Sequence, residues 1–301
     1  MSNRTSGQTL ADNIKVRNFF EKQGTKNSLV HRFIAGVTLR DAFLVAKEYR
    51  DERYLCAFDL LGENVLGPED AEKSVQAYLE LIRQMSIFSV DSYLSLKLSS
   101  LGLDISVELA RENLHRLTEE ARTRGEIFIQ VEAEGSAVIG KILQIVADEH
   151  RLYSHLGTVA QAYLRRTDKD LSLLIKEKIP IRLTEGSLSE PPIAAFQSKS
   201  DIDVAFRKHM YFLLEHGLHP AIGTHDPELI NVAKKFIKQH NIPADSYEFE
   251  MLYGVKRDLQ QQLLKEGHAV RVYLPFGMSW YPHFSRRLAA SGFSLGTLFG
   301  K

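Results

Sequence analysis

The chain has 301 residues, 44% of them hydrophobic, the make-up of an ordinary globular protein and enough for one α/β barrel of roughly 250 residues. Its 38 basic side chains balance 38 acidic ones, which leaves no net field to attract nucleic acid or anionic lipid. A single cysteine, Cys56, excludes an intramolecular disulfide, and no stretch approaches the ~18–20 apolar residues of a membrane span. The start MSNRTSGQTLADN lacks the apolar run of a secretory signal, so a cytoplasmic location is expected, compatible with peripheral contact at the inner face of a membrane.

Taken in chain order, residues 1 to about 30 are expected to form a helical arm, because VRNFFEK (residues 16–22) carries apolar pairs without strand alternation. Residues 31–301 then read as one catalytic domain. A first strand begins at Tyr54 (YLCAFDLLG), and Val75, Tyr78, Leu79 and Ile82 follow at helical spacing. The second begins at Tyr93 (YLSLKLS), before a helix capped by Ser106, carrying Ala110, Leu114, Leu117 and Ala121 and closed by Gly125. The third begins at Ile127 (IFIQVEA), with Val138, Ile142, Ile145 and Val146 after it, and the fourth at Gly157 (GTVAQAY). The fifth begins at Ile179 (IPIRLTEG); Ser200 is the expected cap of the next helix, with Ala205, His209, Phe212 and Leu213 on one face and Gly217 at its end. The sixth begins at His219 (HPAIGTH), and Asp226-Pro227 reads as an N-cap with proline at the first helical position. The seventh begins at Ser246 (SYEFEML); Gly267 closes the helix before the eighth, which begins at His268 (HAVRVYLP).

Eight alternations of strand and helix predict a closed parallel (β/α)8 TIM barrel, with an open doubly wound sheet as the alternative. The absence of G-x-G-x-x-G and G-x-x-x-x-G-K-[ST] turns counts against Rossmann and P-loop enzymes. Without a G-x-S-x-G elbow, an H-E-x-x-H pair or C-x-x-C, hydrolase and zinc chemistry have little support, and no metal is expected.

Barrel chemistry sits at the C-terminal ends of strands. There the chain places Asp59 and Glu63 after strand 1, Lys97 in strand 2, Glu132 and Glu134 in strand 3, Gln161 in strand 4 and Arg182 in strand 5. Thr224 and His225 close strand 6, Tyr273 closes strand 8, and Arg286-Arg287 fall in the second turn of the last helix. Singly, each has a bland reading as a solvated rim residue, and adjacent arginines are usually a basic helix face. Lys97, however, lies between Leu96 and Leu98, where an unpaired ammonium would be costly, so Glu63 is its expected partner. The arginine pair follows YLPFG (residues 273–277) and Trp280-Tyr281, which sets it over the barrel mouth. Guanidinium forks match a carboxylate bidentately, pointing to a carboxylate-bearing substrate held against an apolar cavity.

Several stretches together are more specific. RFIAG (32–36), FDLLGE (58–63), SLKLSSLG (95–102), QAYLRR (161–166), IRL (181–183), GTHD (223–226), FEMLYGVKRDLQ (249–260) and VRVYLPFG followed by WYPHFSRRLA occur in that order. From about Arg32 onward the sequence resembles the monofunctional bacterial proline dehydrogenases. The resemblance implies a distorted barrel with noncovalent FAD over the strand ends, oxidation of proline to its cyclic imine, and delivery of electrons to a quinone or other acceptor. It implies that Arg286, Arg287 and Lys97 grip the substrate carboxylate, that Glu63 pairs with Lys97, and that Tyr273, Leu252, Leu188 and His283 line the pocket. It assigns contacts with the flavin to Glu132, Gln161, Arg182, Thr184, Gly186, Thr224, His225 and Arg287.

Departures from the family pattern cluster around the substrate ring. Glu185 stands where a lysine is usual, Leu188 and His283 where tyrosines are usual, Ala290 in place of a glutamate, Asp226 in place of an asparagine, and Glu132 in place of an aspartate. An imidazole at 283 would add a group titrating near neutral pH. A ring other than that of proline, or an N-substituted amino acid, is therefore admitted as substrate. Two rivals stand beside this reading: a flavin-free barrel that binds a ligand or partner, and a barrel aldolase using Lys97 as Schiff-base nucleophile.

Overall fold

The computed structural model describes residues 17, 18, 20, 22, 28–62, 65–88, 92–186 and 189–290. Eight parallel strands pair in sequence order: β1 (Leu55–Leu60), β2 (Ser92–Leu96), β3 (Ile129–Val131), β4 (Leu156–Gln161), β5 (Ile181–Thr184), β6 (Ala221–Gly223), β7 (Glu248–Leu252) and β8 (Val270–Phe276). The eighth pairs with the first, Ala57 opposite Tyr273, so the sheet closes and the doubly wound alternative is excluded. Helices α1 (Ser28–His31) and α2 (Leu39–Asp51) precede β1. The strands are followed in turn by α3 (Pro68–Phe88), α4 (Val107–Thr123), α5 (Ile139–His150), α6 (Thr167–Lys176), α7 (Lys199–His216), α8 (Pro227–Gln239), α9 (Arg257–Lys265) and α10 (Tyr281–Ala290).

The period of two along each strand sorts side chains between two environments. Cys56, Phe58, Leu94, Leu96, Ile129 and Val131 point outward into the main core, against Val75, Ile82, Leu114 and Leu117 of the helices. Ala57, Tyr93 and Tyr273, on the alternate positions, form a separate group inside the barrel.

Local chemistry sets most boundaries. Thr38 opens α2 with a capping box, its hydroxyl accepting from the Asp41 amide (3.2 Å) while Asp41 accepts from the Thr38 amide (3.1 Å). Ser106 caps α4 by accepting from the Leu109 amide (3.1 Å), and Asp226 caps α8 by accepting from the Glu228 amide (2.9 Å), with Pro227 at the first helical position. Ser200 is not a cap. Helix α7 starts one residue before it, because Ser198 has the extended backbone of an N-cap and accepts from the Asp201 amide (3.1 Å).

Several strands differ from the sequence expectation; the fifth, seventh and eighth begin two residues later than expected, at Ile181, Glu248 and Val270. The third begins two residues later than Ile127, because the Ile127 amide donates to Ala121 at the end of α4 (3.2 Å). The sixth is reduced to three residues, since His219 takes a left-handed φ of 45° and Pro220 has no N–H to pair. The eighth runs on to Phe276, so Tyr273 lies in its middle and not at its end.

Candidate active site

The inner face of the barrel is polar well below its mouth. Arg182 on β5 is buried and donates to Glu250 on β7 (2.5 Å) and to Glu132 just past β3 (2.5 Å). Tyr93 donates to Glu250, and Ser95 donates to Glu132. The Tyr273 hydroxyl meets Glu132 (3.2 Å) and Ser95 (3.1 Å), and its ring lies 5.1 Å from the Arg182 guanidinium. Beneath them Arg271 pairs with Glu248 through two bonds (2.7 and 2.9 Å) and lies 4.2 Å over the Tyr93 ring. Burial works against the Arg182 charge, but Glu132 and Glu250 outweigh it and hold its pKa well above the ordinary value. Burial raises the Glu250 carboxyl, with Arg182 opposing. Sequence reasoning named Arg182, Glu132 and Tyr273 but missed Glu250, Glu248, Arg271, Tyr93 and Ser95. The signal available was the alternation in EFEML and VRVYL, which puts Glu248, Glu250, Arg271 and Tyr273 on one face of their strands.

At the mouth a basic set gathers around one buried carboxylate. Asp59 is 4% exposed; burial raises its carboxyl, while Lys97 and a hydrogen bond from Tyr273 favour the anion. Lys97 follows β2 directly and continues the inward series Tyr93, Ser95. Burial lowers the Arg286 pKa, with Asp59 opposing, and lowers that of Arg287, with Arg286 adding to the effect. His283, one turn earlier on α10, is pushed well below its usual pKa by burial, then by Arg287, Arg286 and Lys97. It is therefore a neutral imidazole, which corrects the expectation of a group titrating near pH 7. Of the predicted site residues, Glu63 and Leu188 lie outside the described residues, and the carboxylate found beside Lys97 is Asp59.

Around the strand ends stand the residues expected to meet a cofactor. Gln161 ends β4 opposite Thr184, which ends β5. Gly186 has φ +102°, and a Cβ there would sit 2.1 Å from the Tyr163 ring, so the turn after β5 demands glycine for both conformation and space. Thr224 donates to Glu185 (2.6 Å), which gives that departure a partner, and accepts from the Asp226 backbone amide (3.1 Å); the Asp226 side chain instead accepts from the Glu228 amide (2.9 Å) and Lys199 (2.8 Å). The Leu252 amide donates to His225 Nε2 (2.8 Å), which fixes that nitrogen as an acceptor and leaves the ring proton on Nδ1. Burial, then Arg287 and Lys256, lower the His225 pKa to about 4.

Of the buried polar atoms without a hydrogen-bond partner among the described residues, three belong to the expected site: Gln161 Oε1, Arg182 Nε and Arg287 Nε. One acceptor and two charged donors, set at the end of β4, within β5 and on the helix α10, fit the polar edge and anionic groups of a flavin. Among the described residues no group of three metal-ligating side chains occurs, and no helix is long and apolar enough to cross a membrane.

The family model described as Proline dehydrogenase matches residues 44–289. The chain is 34% identical over 280 residues to proline dehydrogenase 2 of Bacillus subtilis (strain 168), covering 90% of this chain and 92% of that protein. It is 34% identical over 268 residues to the proline dehydrogenase of Deinococcus radiodurans, covering 87% of this chain and 86% of the other. Among solved structures, proline utilization A from Bdellovibrio bacteriovorus, inactivated by N-propargylglycine, superposes with a TM-score of 0.79 at 21% identity. The match covers 86% of this chain and 32% of that one. A proline utilization A from Bradyrhizobium japonicum gives 0.72 at 20% identity, over 31% of its length. These two likenesses concern the fold, and the chain spans about a third of each.

Proposed function

The chain belongs to the proline dehydrogenase family, and from that premise we propose that it binds FAD noncovalently over the strand ends and oxidises proline, or a related cyclic or N-substituted amino acid, to the imine. Membership makes it an oxidoreductase acting on a CH–NH bond. The observation that carries the finer reading is the basic cluster at the mouth: Arg286, Arg287 and Lys97 gathered above one buried carboxylate, with Arg287 Nε unpartnered among the described residues. Like charges at such spacing are held at a cost that an anionic ligand removes.

Arg286 and Arg287 take the substrate carboxylate as charge-assisted forks, and Lys97 supplies a third donor from the barrel side. This fixes the carbon next to the substrate nitrogen over the strand ends, so that the reaction starts from an oriented pair. FAD, when bound, supplies the two-electron acceptor for the hydride, at its N5. Arg182, locked between Glu132 and Glu250, keeps a permanent positive charge that would favour added negative charge on a bound flavin. Gln161 Oε1 and His225 Nδ1–H offer an acceptor and a donor to the cofactor, and Thr184, Gly186, Thr224 and Glu132 shape the rim that receives it. Tyr273 and Leu252, adjacent in register on β8 and β7, form the floor of the substrate pocket. His283 stays neutral, so it gives the ring a hydrogen-bonding wall without a further charge. The electrons then pass to a quinone or another acceptor.

The test is the visible spectrum of the purified protein before and after anaerobic addition of proline, 4-hydroxyproline, pipecolate and N-methylated amino acids. A yellow protein that bleaches with at least one of them, and releases free FAD on denaturation, is expected. A colourless protein that cannot be reconstituted with FAD sinks the flavoenzyme reading, and bleaching by none of the panel sinks the substrate class.

A further inference from the structure

The helix that carries the arginine pair does not rest on the barrel core. Tyr281, Phe284 and Leu288, spaced along one face of α10, join Phe20, Phe33 and Trp280 in a buried cluster separate from the main one. Phe284 is fully buried; Phe20 meets it edge-on at 4.8 Å, and the Trp280 ring lies 5.5 Å away. The Arg17 guanidinium lies 5.7 Å over the Tyr281 ring. Both Arg17 and Phe20 are helical and precede the barrel by more than a turn of chain. Downstream the same segment is fastened to the rim: the Ala35 amide donates to the Pro275 carbonyl (2.8 Å), and the Gly277 amide donates to the Gly36 carbonyl (3.1 Å).

A ten-residue helix is marginal on its own and takes its orientation from what it packs against. Here the packing partners of its apolar face come largely from the segment ahead of the barrel, while its other face carries His283 near Lys97, Arg286 near Asp59 and Arg287 near Tyr273. We propose that Phe20, on the arm ahead of the barrel, is a positioning residue for substrate binding, setting α10 so that Arg286 and Arg287 stand over the mouth. The proposal rests on the reading of those arginines as the carboxylate grip. Loss of the prop lets the helix sample other orientations, so binding bears the cost of ordering it, while the electron-transfer step of bound substrate changes little.

Trp280 is the single tryptophan of the chain and sits in this cluster, which provides a readout independent of turnover. The experiment compares full-length flavin-loaded wild type, Phe20→Ala, Phe20→Leu and Arg286→Met. For each, proline KM and kcat are measured, with Trp280 fluorescence during titration with tetrahydrofuran-2-carboxylate, a cyclic carboxylate lacking the oxidisable amine. In Phe20→Ala, KM and the probe's Kd are expected to rise about tenfold, equivalent to ordering one or two side chains, with kcat within about twofold and the flavin spectrum unchanged; Phe20→Leu recovers most of the loss. Should Phe20→Ala not yield folded holoenzyme, the Phe20→Leu variant carries the test, with a smaller rise in KM and Kd at constant kcat. Unchanged KM and Kd in the folded variants overturn the proposal, as do equal losses in kcat, flavin content and binding, which mark general unfolding. If Arg286→Met leaves binding unchanged, it is the carboxylate-grip reading that fails, and the role of Phe20 in it fails with that reading; a loss in Arg286→Met alone overturns only the arm.

Discussion

Burial lowers the pKa of both Arg286 and Arg287, and Arg286 lowers that of Arg287 further. Two cations so disfavoured in one helical turn are hard to explain as a solvated face, because water keeps an exposed guanidinium charged without that desolvation cost. Arg286→Met and Arg287→Met are therefore expected to weaken proline binding by about 2–5 kcal/mol each, roughly 30-fold to several thousand-fold in affinity, with the fold intact by circular dichroism. Wild-type KM in both would remove them from the site. Arg182 poses a different problem, since its guanidinium neutralises two buried carboxylates at once. Replacing it with methionine leaves Glu132 and Glu250 uncompensated, and a loss of about 3–5 kcal/mol in urea unfolding is expected. Glu250→Gln keeps an acceptor for Tyr93 and for Arg182 while removing a charge that burial already disfavours, so its loss is expected to stay under about 1.5 kcal/mol. Equal losses from the two variants would contradict this account. Arg182 was legible in the sequence as an ionisable residue inside an apolar strand. Its partner Glu250, 68 positions away, was not, because nothing local tells which of eight inward-facing strands supplies the counter-charge.

At the scale of the elements, apolar runs bounded by turn residues were enough to place eight strands, and their eightfold alternation with helices was enough to close them, since each strand had to bury one face against helices and the other inside the barrel. Boundaries were less legible wherever a backbone group was diverted, as at Ile127, whose amide finishes α4, and at Pro220, which has none to give. The same competition moved the cap of α7 from Ser200 to Ser198: both serines lie at the start of the helix, and only backbone conformation separates them. The turn after β5 shows how an element boundary serves the site. Gly186→Ala would force a left-handed backbone on alanine, at about 1–3 kcal/mol, and would also drive a methyl group into the Tyr163 ring. The expected result is a larger fall in Tm than Asp226→Ala produces by removing the α8 cap, which typically costs about 1 kcal/mol, together with weaker retention of flavin on gel filtration. Combining Gly186→Ala with Tyr163→Leu should recover the steric part and leave the backbone strain, so the two losses will not add. Strict additivity would mean that the ring is not what confines the turn.

For the whole molecule, a formal net charge of zero leaves the pH response to groups whose pKa differs between the folded and unfolded chain. Exposed carboxylates such as Glu72 and Glu119, held at about 2 by Arg116 and Arg122, are screened by solvent and contribute little. The buried histidines decide the neutral range. Burial lowers His225 to about 4, with Arg287 and Lys256 adding, and burial also lowers His209, His268 and, furthest, His283. Two of these bonds are geometric as well: the Leu252 amide donates to His225, and Tyr247 meets His268 Nδ1 at 2.6 Å. In each case the folded chain holds the imidazole proton less readily than the unfolded chain does, so unfolding favours proton uptake once the pH is below about 6.5. Stability from this source is complete above that pH and falls with it until the folded group protonates, near pH 4 for His225. Asp59 and Glu250 act in the opposite sense, since their raised folded-state values let the folded chain bind protons before the unfolded one does. His225 alone, at about 4 when folded against about 6.5 when unfolded, contributes an uptake on unfolding that approaches one proton, or ~1.4 kcal/mol per pH unit, between roughly pH 6 and 5. Urea unfolding of the flavin-loaded protein at steps from about pH 7.5 to 5 should show that slope, and His225→Gln, which still accepts from the Leu252 amide but does not titrate, should flatten it by about one proton. A stability that is level or rising as the pH drops across that range would show that these imidazoles do not govern the response of the fold to acid.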